Sequence, residues 1–453
     1  MKPFSRTLPR PAWGCPTILA SLGLLVLGLH AATRLILPSQ SELLGTLLAL
    51  VGLLAILRWG KAVRGSVPLW LLLGALLVQL LSWGLGMLHH PEWMPDNPKL
   101  DRLAKLFTFV AVAWWLAGNT RYTLRIWGLA LLGVLLATLV SPESRQDWLH
   151  GLSGNRVDFA IYNAQHAAMY FGAGLLGLLA FAGRLMEPGA WRWLRGVLWV
   201  AGTLACVLGL IITQTRAAWL GATFGLIGMV IVWLACRYRA GERWHSPWRM
   251  VSVLVAGLGV ITVIGIGFEE TVANRIASER QTVSALMEGE LEDVPYSSVG
   301  IRIHTWVAAT EWIAERPLVG WGENARSLVI QQTDWLPDTI RARFGHLHNS
   351  ILEILVSYGL LGGMVFLGLS VWLLWGSYRA WQAGVMPGDM MLFFIGFSVF
   401  WFIINLFESF MGFWTGVFLF NIILGGIVTH IWRWQAGESA TFFGRQVRST
   451  FEQ

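Results

Sequence analysis

The chain has 453 residues, of which 55% are hydrophobic and only 13% are charged, and its mean hydropathy is +0.58. No soluble core of this size needs so much apolar surface, so the composition excludes a soluble globular protein and indicates a polytopic helical membrane protein in contact with membrane lipids. The formal net charge of +7 is attributed to membrane topology rather than to nucleic-acid binding, since no basic surface module with interleaved aromatic residues is visible.

Twelve apolar runs approach the length of about 20 residues that a membrane-spanning helix needs. In chain order they are 17–36, 43–57, 67–88, 103–117, 122–140, 159–183, 194–213, 216–235, 250–267, 348–375, 390–407 and 411–432. The first run lacks a small-residue cleavage pattern, so it is interpreted as a retained helix rather than a signal peptide. The predicted fold is therefore all-α, with about twelve transmembrane helices.

Basic residues predict the orientation of these helices. Most Lys and Arg residues lie in alternate connections, which places those connections and both termini in the cytoplasm. The predicted organisation is nine helices in 1–268, a helical outer loop in 269–347, three helices in 348–433 and a cytoplasmic tail in 434–453. None of the three cysteines lies in the outer loop, so the sequence offers it neither a disulfide framework nor a cysteine metal site.

The outer loop of about 80 residues has the patterning of a folded segment, and loops of this length are usually functional. In GIRIHTWVAATEWIAERPLVGWG, Arg302, Trp306, Ala309 and Ile313 share one face at helical spacing. Pro317 is expected to stop this helix, and the glycines that follow it to form a turn. A second stretch, TVANRIASERQTVSALMEGE, also predicts an amphipathic helix.

Three hydrogen-bonding side chains precede the tenth run, in GHLHNSILEILVSYGLLGG. His348 and Asn349 are suited to capping the helix start, or they could belong to a polar site. If His346 and His348 were helical, their side chains would diverge by roughly 200°, so only one would face a given pocket.

Two arginines also interrupt apolar surfaces. Arg216, in LIITQTRAAWLGATFG, stands at a tight hairpin and could extend its charge to lipid headgroups or bind phosphate oxygens with its planar fork of donors. Arg302 could pair with Glu311 or Glu315, or it could face an anion at the membrane surface.

The predicted topology brings these groups to one interface. Arg216, Arg302 and His348 all lie on the outer side, and Arg275, Arg341 and Arg343 belong to the same loop. Guanidiniums around an imidazole would bind a polyanionic headgroup and supply a nitrogen that can take a proton. This pattern predicts chemistry with a phosphate leaving group on a lipid carrier.

Three motifs resemble the O-antigen ligase and polymerase superfamily. They are Thr215–Arg216 followed by AAWLG, R-x-x-x-W at Arg302 to Trp306 leading into ERPLVGWG, and HLHNSILEILVSYGLLGG; the resemblance covers roughly 155–363. It implies a GT-C-like enzyme of the bacterial inner membrane. The implied partners are a polysaccharide donor on undecaprenyl pyrophosphate at the periplasmic face and a lipid A-core acceptor.

The resemblance also implies roles for residues. His348 matches the family's essential histidine, the base for an acceptor hydroxyl, and Arg216 and Arg302 match arginines that hold the pyrophosphate. Where the family often shows an N-P-N-like segment, this chain departs from it with Asn163, Ala164 and Gln165. The expected substrate-binding residues are His346, Arg156, Arg275, Arg341, Arg343, Thr215 and Asn349.

No cofactor is expected, and metal independence is implied by the resemblance. The sequence shows no paired-aspartate motif for a divalent cation, and Asp334 and Asp338 are expected to pair with nearby arginines. Direct displacement at the anomeric carbon would invert its configuration.

The favoured function is an inverting O-antigen ligase. The moderate loop size and the lack of a recognisable soluble C-terminal domain disfavour a protein oligosaccharyltransferase. A polymerase of the same superfamily fits the same motifs. The alternatives from other classes are a twelve-helix transporter or lipid flippase, which usually shows repeat symmetry and midplane charges, and a structural membrane scaffold.

Overall fold

The structure is a computed structural model that describes residues 13–239, 284 and 293–437, and within these residues it is helical with no strand. The protein is an all-α polytopic membrane protein: eight of its described helices are long and apolar enough to cross a membrane. The helices are α1 (Thr17–Thr33), α2 (Pro38–Trp59), α3 (Val67–His89), α4 (Asp101–Ala104), α5 (Phe109–Leu116), α6 (Thr120–Val140), α7 (Pro142–Leu152), α8 (Ala164–Ala180), α9 (Ala182–Leu185), α10 (Arg192–Ile212), α11 (Arg216–Arg239), α12 (Ser298–Glu315), α13 (Ala325–Gln331), α14 (Asp338–Arg343), α15 (Ser350–Gln382), α16 (Gly388–Asn405) and α17 (Trp414–Gln435).

Most predicted runs correspond to observed helices. The second run extends further than predicted, because α2 begins at Pro38 with a polar first turn that hydropathy assigns to a loop. Helix α7 has no counterpart among the predicted runs, although Ser141 caps it and Pro142 occupies its first position. The run at 250–267 and the amphipathic stretch TVANRIASERQTVSALMEGE fall outside the described residues, apart from Ser284.

The fourth predicted run, 103–117, is a broken helix rather than a continuous span. Polar side chains of α3 and α17 make hydrogen bonds to the backbone around the break. The Gln79 side chain donates to the carbonyl of Pro98 (2.9 Å). The Asn421 side chain donates to the carbonyl of Lys105 (2.8 Å) and accepts from the next turn. The 3₁₀ turn Lys105–Phe107 between α4 and α5 interrupts the regular α-helical hydrogen bonds, and these internal partners satisfy the polar groups there.

Helix α17 lies at the centre of the bundle. It is the most buried of the eight candidate spans, and it packs against α5, α15 and α6. Helix α11 packs against α16 and α8, and α8 also packs against α10. Thr415 at the start of α17 contacts His166 at the start of α8, and Glu408, just before α17, contacts His348, just before α15. The polar residues described below collect at these helix ends.

The described part of the outer loop has its own apolar core. Trp312 of α12 packs with Trp321, Val329 of α13 and Ile340 of α14. As predicted, the first loop helix ends just before Pro317, and positive φ angles at Gly320 (66°) and Gly322 (83°) make the turn that follows.

This turn docks on α15 where that helix is interrupted at Gly359, whose φ is 60°. The N–H of Trp321 donates to Val356 and that of Leu360 donates to Pro317, at 2.9 and 2.7 Å. A Cβ at Gly359 would lie 2.3 Å from the backbone of Leu318, so close approach requires glycine here.

Candidate active site

A buried carboxylate that the sequence reasoning missed is the centre of the site. Glu408 lies between α16 and α17, and its side chain is 1% exposed. Both of its oxygens lie 3.2 Å from Nδ1 of His348, and Oε1 lies 3.3 Å from Nε2 of His346. Gln165 donates to its other oxygen, and the N–H of Ser409 donates to Oε1 at 2.9 Å. These donors satisfy a carboxylate that would be costly to bury alone.

The protonation state of Glu408 follows from these contacts. Burial alone would raise its pKa, but hydrogen bonds from His346 and His348 hold the pKa well below its usual range. An ionised carboxylate only accepts hydrogen bonds, so Nδ1 of His348 must be the donor. In the neutral imidazole this leaves the lone pair on Nε2, which can then accept a proton.

The expectation that only one of the two histidines would face the pocket is wrong. Helix α15 begins at Ser350, so His346 and His348 precede it and do not follow helical geometry. His348 has a positive φ of 52°, and the two rings lie 4.0 Å apart between centroids. This bend directs both side chains to the same carboxylate.

Arginines surround this cluster. Burial lowers the pKa of Arg302, the carboxylate of Glu408 opposes that effect, and the charges of Arg216 and Arg156 lower the pKa further. An arginine keeps its charge despite such shifts. The three arginines and Glu408 therefore share one electrostatic neighbourhood. The alternative partner Glu311 instead accepts from Trp335 at 3.1 Å.

The hairpin between α10 and α11 positions two of these arginines. Thr215 is buried, and its hydroxyl donates to the carbonyls of Ala164 (3.3 Å) and Thr213 (3.1 Å). Arg156 donates from Nε to the carbonyl of Thr213 at 3.2 Å. Arg216 follows directly as the first residue of α11 and is exposed.

Asn349 takes the capping position that the sequence favours for it. Its side-chain oxygen accepts from the N–H groups of Ile351 and Leu352, at 3.0 and 3.1 Å. On α12, Trp306 donates from its indole to the carbonyl of Leu347 at 2.8 Å. These bonds fix the His348 backbone between α12 and α15.

The other arginines of the loop that the structure describes contact residues outside this cluster. Arg341 pairs with Asp338 and Asp334, as predicted for those two aspartates. Arg343 is exposed and lies over the ring of Phe344, 5.7 Å from its centroid. Arg275 lies outside the described residues. Substrate binding by these arginines stays a prediction.

Aromatic residues that were not predicted complete the surroundings. The ring of Phe413 lies 5.3 Å from that of His346 and 4.8 Å from that of Tyr162. Tyr162 is 53% exposed; burial of its hydroxyl and the charge of Glu408 raise its pKa, and Arg326 opposes this. His166 is fully buried and hydrogen-bonded to Thr415. Asn163, where the chain differs from the expected N-P-N-like segment, caps α8.

The same cluster has the donor set of a metal site. The ligand atoms of His346, His348 and Glu408 lie within 4.8 Å of one another. Two imidazoles and one carboxylate are ligands that Zn²⁺ accepts. The three residues are not adjacent in the sequence and do not form a paired-aspartate motif, so the sequence alone does not indicate this arrangement.

We expect replacement of Glu408 by Gln to remove a pH-dependent contribution to stability. A carboxylate with a lowered folded-state pKa stabilises the protein at neutral pH, and this is lost as pH falls below the ordinary value of 4.5. The difference in melting temperature between wild type and Glu408→Gln should therefore be largest at pH 7 and narrow below pH 4.5. Thermal unfolding of the detergent-solubilised protein measures this.

Exposed Glu143 on α7 provides the matched control. Glu143→Gln should shift the melting temperature little at any pH. If the difference in melting temperature between wild type and Glu408→Gln stayed constant at acidic pH, this result would contradict an ionised, hydrogen-bonded carboxylate in the folded state.

A family model described as O-Antigen ligase matches residues 201–367. This segment contains Arg216, Arg302, His346 and His348, whereas Arg156 and Glu408 lie outside it. No curated protein matches the chain significantly. The matched segment, which is less than half of the chain, is similar to the O-antigen ligase superfamily, and this similarity supports an enzyme in general.

Proposed function

We propose that the protein is an O-antigen ligase, which transfers a polysaccharide from undecaprenyl pyrophosphate to a sugar hydroxyl of lipid A-core. The observation that carries this proposal is the grouping of Arg156, Arg216 and Arg302 in the electrostatic neighbourhood of Glu408, which contacts both His346 and His348. Guanidiniums suit a pyrophosphate, and the imidazole suits proton removal from a hydroxyl. The family match supports a lipid-linked polysaccharide and a lipid acceptor as substrates in general.

In the proposed reaction, Nε2 of His348 removes the proton of the acceptor hydroxyl while Glu408 orients the ring and stabilises the imidazolium. The acceptor oxygen forms a bond to the anomeric carbon as the bond from that carbon to the phosphate oxygen breaks. Undecaprenyl pyrophosphate leaves with the electron pair, and Arg302 and Arg216 stabilise its developing charge. This single displacement inverts the anomeric configuration.

The proposed location is the bacterial inner membrane, with both termini cytoplasmic and the active site periplasmic. Residues 269–347 form the proposed periplasmic loop that carries part of the site, between transmembrane regions 1–268 and 348–433. The remaining 434–453 form the proposed cytoplasmic tail. A GT-C-like architecture stays a prediction.

The proposed reaction needs no metal, although the His346–His348–Glu408 cluster could bind one. We therefore expect EDTA to leave transfer unchanged and added Zn²⁺ to inhibit it, because a metal that joins Glu408 and Nδ1 of His348 would displace the Nδ1 proton and end the contact that orients the ring. Transfer in proteoliposomes measures both effects. His346→Ala removes one ligand. Zn²⁺ should therefore lower the rate of this variant, relative to the same variant without Zn²⁺, by a smaller factor than it lowers the wild-type rate. Loss of transfer in EDTA and its recovery with a divalent cation would contradict the metal-independent reaction.

Reconstitution tests the function itself. Purified protein in proteoliposomes should transfer polymerised glycan from undecaprenyl pyrophosphate to lipid A-core, and NMR of the product should show inversion. In cells, loss of a ligase should accumulate polymerised lipid-linked glycan, whereas loss of a polymerase should leave single repeats on the core. A transporter or flippase would form no glycosidic bond, and a scaffold would tolerate site variants that express and fold normally.

A further inference from the structure

Tyr162 is an exposed aromatic residue beside the candidate site. Its side of the ring that faces the protein packs against the rings of His166 and Phe413, each at 4.8 Å, yet the residue is 53% exposed. Tyr170, one helical stretch further along the chain, is 2% exposed, and its hydroxyl donates to the carbonyl of Thr415 at 2.8 Å. A tyrosine that serves packing is expected to resemble Tyr170. The outer face of Tyr162 is instead accessible to a ligand.

The backbone around Tyr162 is held in an unfavourable conformation. Tyr162, Phe159 and Ala160 have φ angles of 60°, 56° and 55°, in the left-handed region that residues other than glycine rarely adopt. Two hydrogen bonds from α7 hold this conformation. The hydroxyl of Ser144 donates to the carbonyl of Phe159 at 2.9 Å, and the N–H of Phe159 donates to the carboxylate of Asp147 at 2.7 Å. Strain of this kind clusters where a fold must place a side chain against a ligand.

The segment that ends at Tyr162 adjoins both halves of the candidate site. It begins at Arg156, whose charge acts on Arg302. At its other end, the hydroxyl of Tyr162 lies near enough to Glu408 for the charge of that carboxylate to act on it. A short stretch of chain therefore runs from the arginines to the carboxylate that contacts both histidines.

A sugar ring suits an exposed aromatic surface in this place. Phe413 continues the surface from Tyr162 toward the histidines, since its ring lies 5.3 Å from that of His346. The C–H groups of a pyranose form an apolar face that packs on an aromatic ring, and its hydroxyls can bond to the polar tip of a tyrosine. In the proposed reaction the anomeric carbon lies between the hydroxyl activated by His348 and the phosphate held by the arginines. The segment from Arg156 to Tyr162 runs beside that position.

We propose that Tyr162 binds the first sugar of the donor, the saccharide unit joined directly to the pyrophosphate. The sugar ring packs on the exposed face of Tyr162 while its phosphates face Arg156 and Arg302. Because the polyprenyl pyrophosphate itself carries no information about the glycan, Tyr162 helps to determine which first sugar is accepted. This inference rests on the proposed function.

Binding of two lipids separates a sugar contact from a phosphate contact. The probes are undecaprenyl pyrophosphate and the same lipid carrying one O-antigen repeat unit, with binding to the detergent-solubilised protein measured by native mass spectrometry. Tyr162→Ala should weaken binding of the glycan-bearing lipid by about tenfold and leave binding of undecaprenyl pyrophosphate unchanged. Tyr162→Phe keeps the ring, so it should bind both lipids nearly as wild type does.

Tyr378→Ala is the matched control. Tyr378 is 38% exposed and lies near the end of α15 that is remote from His348. Its replacement removes an exposed tyrosine ring far from the candidate site, so binding of both lipids should stay at the wild-type level.

Three results would overturn the assignment. Equal weakening of both lipids by Tyr162→Ala would mean that the ring acts through the phosphate site or the fold. Equal losses in Tyr162→Phe and Tyr162→Ala would mean that the hydroxyl makes the contact. Wild-type binding of the glycan-bearing lipid to Tyr162→Ala would exclude a contact with the donor sugar, and weaker binding of lipid A-core to the same variant would give Tyr162 to the acceptor.

Product formation separates this inference from the proposed function. If Tyr162→Ala shows the selective loss but wild type forms no product with lipid A-core, the transfer reaction is wrong and the sugar contact stands. If wild type forms the product and Tyr162→Ala binds the glycan-bearing lipid normally, the sugar contact is wrong and the proposed function stands.

Discussion

His348→Ala should lower the rate of glycan transfer by about 10²- to 10⁴-fold, the usual contribution of a positioned general base. His348 is the better candidate of the two histidines because its Nδ1 lies 3.2 Å from both oxygens of Glu408, which leaves Nε2 for the proton. Transfer from undecaprenyl pyrophosphate-linked glycan to lipid A-core in proteoliposomes measures the effect. Donor binding should change little, since the arginines supply the proposed pyrophosphate contacts.

His346→Ala is the matched comparison, because His346 contacts the same carboxylate through Nε2. We expect a smaller loss for His346→Ala than for His348→Ala. If His348→Ala transfers glycan at the wild-type rate, the general-base role is wrong even though the family match would remain. If His346→Ala shows the larger loss, the two histidines exchange roles.

Arg302→Ala should lower transfer by about 10²- to 10³-fold, which is the scale reported for loss of one group that stabilises developing charge. The charges of Glu408, Arg216 and Arg156 all act on Arg302, so its removal takes one positive charge from their neighbourhood. Arg302→Lys should restore part of the rate, because an ammonium keeps the charge but not the planar fork. Reaction rates at saturating donor separate this effect from weaker donor binding.

Arg121→Ala serves as the control for folding and expression. Arg121 is exposed at the start of α6, beside the C-terminal half of α17, where Thr120 contacts His430. It therefore lies at the opposite end of α17 from the site, and its replacement should leave transfer unchanged. Equal losses in Arg302→Ala and Arg121→Ala would mean that arginine replacement acts through folding.

Hydropathy predicted the bounds of a helix correctly where nearly the whole helix is apolar. The observed α3 and α6 begin and end within two residues of the predicted runs. It could not predict the break in 103–117, because the break depends on hydrogen bonds from Gln79 and Asn421, which are distant in sequence. An apolar composition is the same whether the segment is continuous or broken.

The sequence predicted some of the charged residues of the site but not all of them. Arg216 and Arg302 stand out because each interrupts an apolar surface, and the structure brings both into the neighbourhood of Glu408. Glu408 also interrupts an apolar region, in the hairpin NLFESFMG, but a carboxylate does not itself bind an anion, so the sequence does not indicate it as part of an anion site. Its importance depends on the bend at His348, which lies 60 residues away in the chain and is visible only in three dimensions.

The start of α15 is bonded on two sides. Residues 350–358 share backbone hydrogen bonds with the 317–322 turn, which follows α12. The hydroxyl of Ser350 also bonds to Asn405 and to the carbonyl of Glu408, and that of Ser409 donates to Glu353. The segment that follows His348 therefore connects the helix that carries Arg302 to the hairpin that carries Glu408, and a variant that breaks these bonds should disturb both parts of the site together.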